Sequence, residues 1–453
     1  MNFKIKKKIS KLRPQPRVAE KWPEDPDIRA SVDWAISLIG TREWKARRAI
    51  LESFAKNQNP SMEPTIANKS KSLGFNFPIA PEDRGGWYLY QAELYLIDPY
   101  ECDLPQCARI LPVFSRLGNR LSDIVRIPGA TARMERALSN PGLDMDSTLF
   151  ELTVASVLLK RGFSDVEFVT ESSTMKTPDL KMIRNGQDFY VECKRKKKMS
   201  EYARNERERW WALSDHIRKK LVAERIPVLI DIVFHTPVLD CPDDFLDRRV
   251  LPLVKSGVYG TVIDDAELCV AFKPIYLDEL RKLLATTVIR VDSPILYEKL
   301  YGSFERWRGY TGSWLYSPSK AKPRYVTDIS FAAGCVWSCD ASDTLRAKAQ
   351  HFRRELAKAV EQLPTGIPSA VHLGFEAYDG EGVEAIRYKR LKEEMMTGFN
   401  PGTKELEVVY CHLFEFETTP TENWAVNETC NHWLRNQASR VYLLEPTMLL
   451  AEA

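Results

Sequence analysis

Two carboxylates and a lysine lie on either side of a short turn signal near the middle of the chain. Asp179 follows a proline, and Glu192 and Lys194 are separated by the single residue Cys193. Mg²⁺ prefers a few carboxylate oxygens together with water, and a lysine can sit beside the metal-bound water. This combination of groups is the chemistry that hydrolysis of a phosphodiester bond requires.

The spacing of these residues predicts that a β-hairpin brings them together. Asn185-Gly186 is the strongest short signal for a type I′ turn, so the segments on either side of it form adjacent strands. Because side chains alternate between the faces of a strand, Glu192 and Lys194 share one face. The opposite face turns toward a core and carries Phe189, Val191 and Cys193. Asp179 opens the preceding strand, close enough to Glu192 to share one Mg²⁺.

Helices and further strands are predicted around this hairpin. Residues 148–161 form an apolar helix, and Glu151 is the only charged residue between Asp146 and Lys160. Residues 166–169 form a short strand. A buried carboxylate is costly unless it is paired or bound to a metal. Apolar spacing predicts a long helix over 200–224 and a largely buried strand over 228–234.

This order of helix, three strands, helix and strand resembles the PD-(D/E)XK nuclease superfamily. The resemblance covers roughly residues 145–235, about a fifth of the chain. It implies an α/β fold with a restriction-endonuclease-like αβββαβ core. The predicted helix over 200–224 contains no glutamine, which some subfamilies use after the lysine.

The resemblance also implies roles for individual residues. Asp179 and Glu192 would be metal ligands, and the main-chain carbonyl of Cys193 would supply a further ligand. Lys194 would orient or deprotonate the water and stabilise the developing charge. Glu151 would be an auxiliary acid that binds a second metal or a metal-bound water. The implied cofactor is Mg²⁺, with Mn²⁺ as a substitute.

Each of these residues also has a structural interpretation that the sequence leaves open. Pro-Asp is common in turns, so Asp179 could be a turn residue. Glu192 and Lys194 could form an ordinary solvated strand face, and Glu151 suits the start of a helix because of the helix dipole. The presence of all three acids and the lysine favours an active site over a decayed nuclease fold.

A basic run directly after Glu192 predicts contact with nucleic acid, because phosphate neutralisation releases counterions. The run and the following helix contribute Arg195, Lys196, Lys197, Lys198 and Arg204. Glutamates are interspersed along that helix, so a solvated helix face is the alternative. Trp211 either stacks on a base or packs against the terminal domains, and packing is the favoured interpretation.

Composition restricts the class of protein. The net charge of +3 makes the basic run a local feature, and no apolar run reaches the length of a membrane span. The N-terminal segment is basic but has no apolar stretch, so it is not a secretory signal. Nine scattered cysteines are typical of a reducing compartment, which predicts a cytoplasmic protein. No Gly-rich phosphate loop is present.

The chain length predicts several domains. We expect a mostly helical N-terminal domain over 1–140, the nuclease core over 141–240, an insertion or linking region over 241–340, and an α/β region over 341–453. In an alternative arrangement, the helix and strand at 343–376 complete the nuclease sheet.

The preferred expectation is a Mg²⁺-dependent DNA endonuclease of a restriction or phage-defence type, since a large member without an ATPase suits that role by analogy. The alternatives are an RNA-cleaving or structure-specific repair nuclease, and a non-catalytic nucleic-acid-binding subunit. The expected partner is nucleic acid, preferably DNA. A homo-oligomer or a partner subunit is left open, and no membrane partner is expected.

Overall fold

The computed structural model describes most of the chain. The described residues are 25–58, 82–99, 101–140, 144–161, 163–170, 176–196, 200–287, 289–291, 293–319, 324–349, 352–418, 424–434 and 448–450. Two residues of the predicted basic run, Lys197 and Lys198, lie outside these ranges. Within the ranges, no helix combines the length and the apolar character that a membrane crossing requires.

The chain folds into a mixed α/β structure with two mixed sheets. The helices of the described residues are α1 (Pro26–Ile39), α2 (Thr41–Gln58), α3 (Arg84–Ile97), α4 (Leu104–Asn119), α5 (Leu121–Ile124), α6 (Ala130–Ser139), α7 (Met145–Lys160), α8 (Glu201–Ala223), α9 (Phe245–Arg249), α10 (Leu277–Leu284), α11 (Pro294–Tyr301), α12 (Ser342–Lys348), α13 (Phe352–Val360) and α14 (Glu381–Glu393). The strands are β1 (Ser164–Phe168), β2 (Leu180–Arg184), β3 (Gln187–Lys196), β4 (Val228–Phe234), β5 (Gly260–Asp264), β6 (Leu268–Pro274), β7 (Ile289–Arg290), β8 (Gly309–Pro318), β9 (Tyr325–Cys339), β10 (Ser369–Glu376), β11 (Leu406–Thr418) and β12 (Trp424–Leu434).

The part of the chain before α7 is helical where it is described, as apolar spacing predicts. Gly40 separates α1 from α2 with a φ of 89°, a left-handed value that glycine adopts without steric cost. Helix α4 contains Pro112 in its interior.

The first sheet has the strand order β1-β2-β3-β10-β11-β12. Its centre is parallel, because β10 pairs in parallel with both β3 and β11. One face packs against α7 and the helices before it, through a core that includes Leu152, Val191 and Cys193. The other face packs against α13 and α14, through a core that includes Val371 and Leu373. The sheet is therefore covered by helices on both sides, as parallel strands require.

The second sheet has the strand order β5-β6-β4-β9-β7, with β8 paired to β9. Helix α8 packs on this sheet, where Trp210 stacks on Trp337 with ring centroids 5.2 Å apart. The described residues from Glu201 to Cys339 thus form the second sheet and its helices, between β3 and β10 in chain order.

The expected αβββαβ order within 141–240 is wrong for its last helix and strand. Residues 228–234 form β4, which pairs with β6 and β9 in the second sheet. The sheet that holds Glu192 is instead extended by β10, and α13 packs on that sheet, as in the alternative for 343–376. Both β4 and β10 are apolar and largely buried, so their composition suits an interior strand of either sheet.

Candidate functional site

The hairpin that carries the predicted site forms as its sequence indicates. Asn185 and Gly186 have φ values of 52° and 75°, the two positive values that a type I′ turn requires. Arg184 pairs with Gln187 across the turn, which leaves a two-residue loop. This register places Leu180 opposite Val191, so Asp179 comes next to Glu192 at the open end of the hairpin.

Strand β3 separates its side chains between the two faces of the sheet. Val191 and Cys193 are buried against α7, as predicted. Glu192 lies opposite Val371 and Lys194 lies opposite Leu373, on the face that α13 covers. The Glu192 side chain is 0% exposed, whereas that of Lys194 is 27% exposed. A solvated strand face therefore does not describe Glu192.

Hydrogen bonds orient the two carboxylates differently. The backbone N–H of Cys193 donates to Asp179 Oδ2 at 2.8 Å, which ties the start of β2 to β3. The Lys194 amine donates to Glu192 Oε1. Glu192 Oε2 is buried and has no hydrogen-bond partner among the described residues. A buried carboxylate oxygen without a donor is energetically costly unless a cation or another ligand binds it.

Lys194 makes a second contact that sequence analysis missed. Its Nζ lies 2.5 Å from Gln362 Oε1, and Gln362 Nε2 donates to the Thr177 carbonyl at 3.2 Å. Gln362 is the second residue after α13, whereas the helix expected after Lys194 was 200–224. The alternative in which 343–376 completes the sheet was the one sequence signal that could have directed attention to Gln362.

The third predicted acid, Glu151, lies on α7 and is held by an arginine from α6. Arg133 Nη1 lies 2.6 Å from Glu151 Oε2 and 3.6 Å from Asp179 Oδ1. Arg133 Nη2 also donates to the Val169 carbonyl at 3.3 Å, and its guanidinium lies 4.9 Å from the centre of the Phe168 ring. Nothing in the spacing of α6 had indicated Arg133 as a site residue.

The carboxylates of Asp179 and Glu192 are buried close together, and burial raises the pKa of both. Burial raises the pKa of Asp179, although the Cys193 N–H and the cations of Lys194 and Arg133 lower it in part. Burial and the negative charge of Asp179 raise the pKa of Glu192 well above its usual range. Negative charge on both carboxylates is therefore unfavourable unless a proton or a further cation neutralises part of it.

For the pKa of Lys194, nearby negative charges matter more than burial. Burial by itself lowers the pKa of its amine, but the carboxylates of Glu192 and Asp179 outweigh burial and raise that pKa above its usual value. Lys194 is therefore a cation and a hydrogen-bond donor in this arrangement. Of the roles expected for it, orienting water and stabilising negative charge suit this state better than accepting a proton does.

The donor set fits a Mg²⁺ ion held by Asp179 and Glu192. Mg²⁺ commonly takes one or two carboxylates and completes its octahedron with water and substrate oxygens. Among the described residues, no three Asp, Glu, His or Cys side chains converge to hold a metal by themselves. Glu151, which contacts Arg133, is thus not gathered with the other two acids. The carbonyl of Cys193 stays a predicted ligand.

Arg195 does not lie where a phosphate contact needs it. Its side chain is 6% exposed, and its guanidinium pairs with Glu376 at 2.7 Å and lies 4.7 Å from the centre of the Phe414 ring. Alternation along β3 directs Arg195 to the same face as Cys193, away from Lys194. The expected contact of Arg195 with nucleic acid is therefore not supported by its position.

The other predicted nucleic-acid residues occupy separate places. Lys196 shares the face of Lys194 and lies 3.5 Å from Glu355 on α13. Arg204 is exposed on α8, where its guanidinium lies 3.9 Å from Glu201. Trp211 is half-buried, and the guanidinium of Arg218 on the same helix lies 4.3 Å from its ring centre.

No protein-family model, curated protein or solved structure matches this chain. The activity of this chain is therefore inferred from the residues of the site and from their geometry.

Proposed function

We propose that this chain is a Mg²⁺-dependent nuclease of the PD-(D/E)XK type, which hydrolyses phosphodiester bonds at Asp179, Glu192 and Lys194. The observation that carries the proposal is the state of Glu192. Its side chain is fully buried, one oxygen accepts from Lys194, and the other has no partner within the described residues. Asp179 lies beside it on the adjacent strand, so a divalent cation would satisfy both carboxylates.

Each residue of the site would have a separate role in this reaction. Asp179 and Glu192 would hold the Mg²⁺, and the Cys193 N–H keeps Asp179 in place for this role. When bound, Mg²⁺ supplies Lewis acidity that activates water and offsets charge on the phosphate. Lys194, held as a cation by Glu192, would donate to a phosphate oxygen and stabilise the charge that develops there. Gln362 fixes the direction of the Lys194 amine.

We further propose DNA as the substrate and a restriction or phage-defence role, by analogy with large superfamily members that lack an ATPase. The experiment is a cleavage assay on supercoiled plasmid, linear duplex, single-stranded DNA and RNA, with Mg²⁺, Mn²⁺ or EDTA. The preferred substrate would assign the subclass and would distinguish the DNA endonuclease from an RNA-cleaving or repair nuclease.

Variants of the same hairpin make the assay specific. Asp179→Asn and Lys194→Ala should lose metal-dependent cleavage by at least about 10²-fold, the usual cost of removing a group that stabilises the transition state. Asp188→Asn is the matched control, because Asp188 is a half-exposed acid of β3 that pairs with Lys181 at 3.2 Å. It should cleave like the wild type. Absence of cleavage by folded wild type on every substrate would instead support a non-catalytic nucleic-acid-binding subunit.

A further inference from the structure

Arg133 brings a positive charge from the N-terminal helices to a position between Glu151 and Asp179. Its Nη1 lies 2.6 Å from Glu151 and 3.6 Å from Asp179, and its side chain is 10% exposed. The guanidinium therefore lies between the auxiliary acid and the first proposed metal ligand. In a three-carboxylate site with two metals, the second cation would have to contact the same pair of acids.

The position of Arg133 is fixed by contacts outside the cluster. Its Nη2 donates to the Val169 carbonyl at 3.3 Å, and the guanidinium lies over the Phe168 ring at 4.9 Å. Displacement of the side chain would therefore sacrifice a hydrogen bond and a cation–π contact, in addition to the ion pair with Glu151. Arginine also stays protonated in proteins, so it cannot yield its charge to an incoming cation.

We propose that Arg133 fills the position of a second cation, so that the chain binds one divalent ion and not two. This inference rests on the proposed metal site at Asp179 and Glu192. A divalent ion beside Arg133 would be repelled by the guanidinium, and it would find Glu151 already paired. The positive charge that a second ion would supply comes instead from Arg133, so Arg133 determines the metal stoichiometry of the site.

The test is a count of bound Mn²⁺ on the full chain, by electron paramagnetic resonance of free Mn²⁺ and by titration calorimetry. Wild type should bind one Mn²⁺, and Arg133→Gln should bind two because Glu151 becomes available. Arg133→Lys keeps a cation at this place and should bind one. The double variant Arg133→Gln/Glu151→Gln lacks the released carboxylate and should return to one.

A control on the same helix separates local charge from a general effect of removing an arginine. Arg136 is exposed on α6, and Arg136→Gln should keep the wild-type stoichiometry. Two Mn²⁺ ions on wild type, or one on folded Arg133→Gln, would overturn the role of Arg133 while leaving the metal site intact. No Mn²⁺ on either protein would overturn the metal site itself and the inference with it.

Discussion

Lys194 is held by Gln362, a residue 168 positions later in the chain. The Lys194 amine and Gln362 Oε1 are 2.5 Å apart, and the other end of the same amide donates to the Thr177 carbonyl. Gln362 therefore connects the strand of Lys194 to the segment that leads into Asp179. Gln362, the second residue after α13, is thus part of the candidate site, although it lies far from the Glu-x-Lys motif in sequence.

Gln362→Ala should lower kcat for cleavage by about ten- to a hundredfold. A hydrogen bond to a charged group contributes roughly 1.5–3 kcal/mol, and each 1.4 kcal/mol corresponds to about tenfold in rate. Because Gln362 acts through Lys194, we expect KM to change little. Glu361→Ala is the matched control, since Glu361 is exposed and pairs with Lys176 at the surface. An equal loss in both variants would show that the loop, and not the amide, matters.

Glu376→Gln should destabilise the protein by about 3–5 kcal/mol, the cost of leaving a buried charge without its partner. The Glu376 side chain is 1% exposed and accepts from Arg109 Nε at 2.8 Å and from Arg195 Nη2 at 2.7 Å. Urea denaturation measures the change in the free energy of unfolding. Glu279→Gln, at an exposed pair with Lys282, should leave that free energy within error of wild type. A small effect of Glu376→Gln would mean that the arginines find other partners.

The contribution of two buried histidines to the stability should be largest near pH 6.5. His412 Nε2 lies 3.0 Å from His372 Nδ1, and His412 Nδ1 lies 3.1 Å from Glu428 Oε1. Burial lowers the pKa of both rings, but Cys430 and Glu428 outweigh it for His412 and raise that pKa to about 9. The pKa of His372 stays well below its ordinary value because of burial and the adjacent His412.

The signs of the two shifts predict two separate limbs. The stabilisation from protonated His412 is complete below the ordinary pKa of 6.5 and is lost as the pH rises toward about 9, at about 1.4 kcal/mol per pKa unit. The unfolded chain protonates His372 below pH 6.5, so acid also destabilises. Melting temperatures measured from pH 5 to pH 9.5 should therefore have a shallower alkaline slope in His412→Asn than in the wild type. His216 is exposed, so His216→Asn should keep the wild-type alkaline slope. An unchanged slope in His412→Asn would refute the assignment.

Local features of the site followed from the sequence because they depend on neighbouring residues. Asn185 and Gly186 determine the hairpin register through their positive φ values, and that register brings Asp179 beside Glu192. The two-residue period of β3 then places Lys194 on the face of Glu192, because successive side chains of a strand alternate. Each of these steps uses the conformational preferences of a few consecutive residues.

The tertiary structure decided the partners that come from distant parts of the chain. Apolar composition suited 228–234 for an interior strand, but β10 and not β4 pairs with β3. This choice brings Gln362 to Lys194, just as the packing of α6 brings Arg133 to Glu151. It also directs Arg195 into a buried pair with Glu376. Strand pairing and helix packing depend on the complementarity of whole surfaces, and neither periodicity nor motif spacing encodes which surfaces meet.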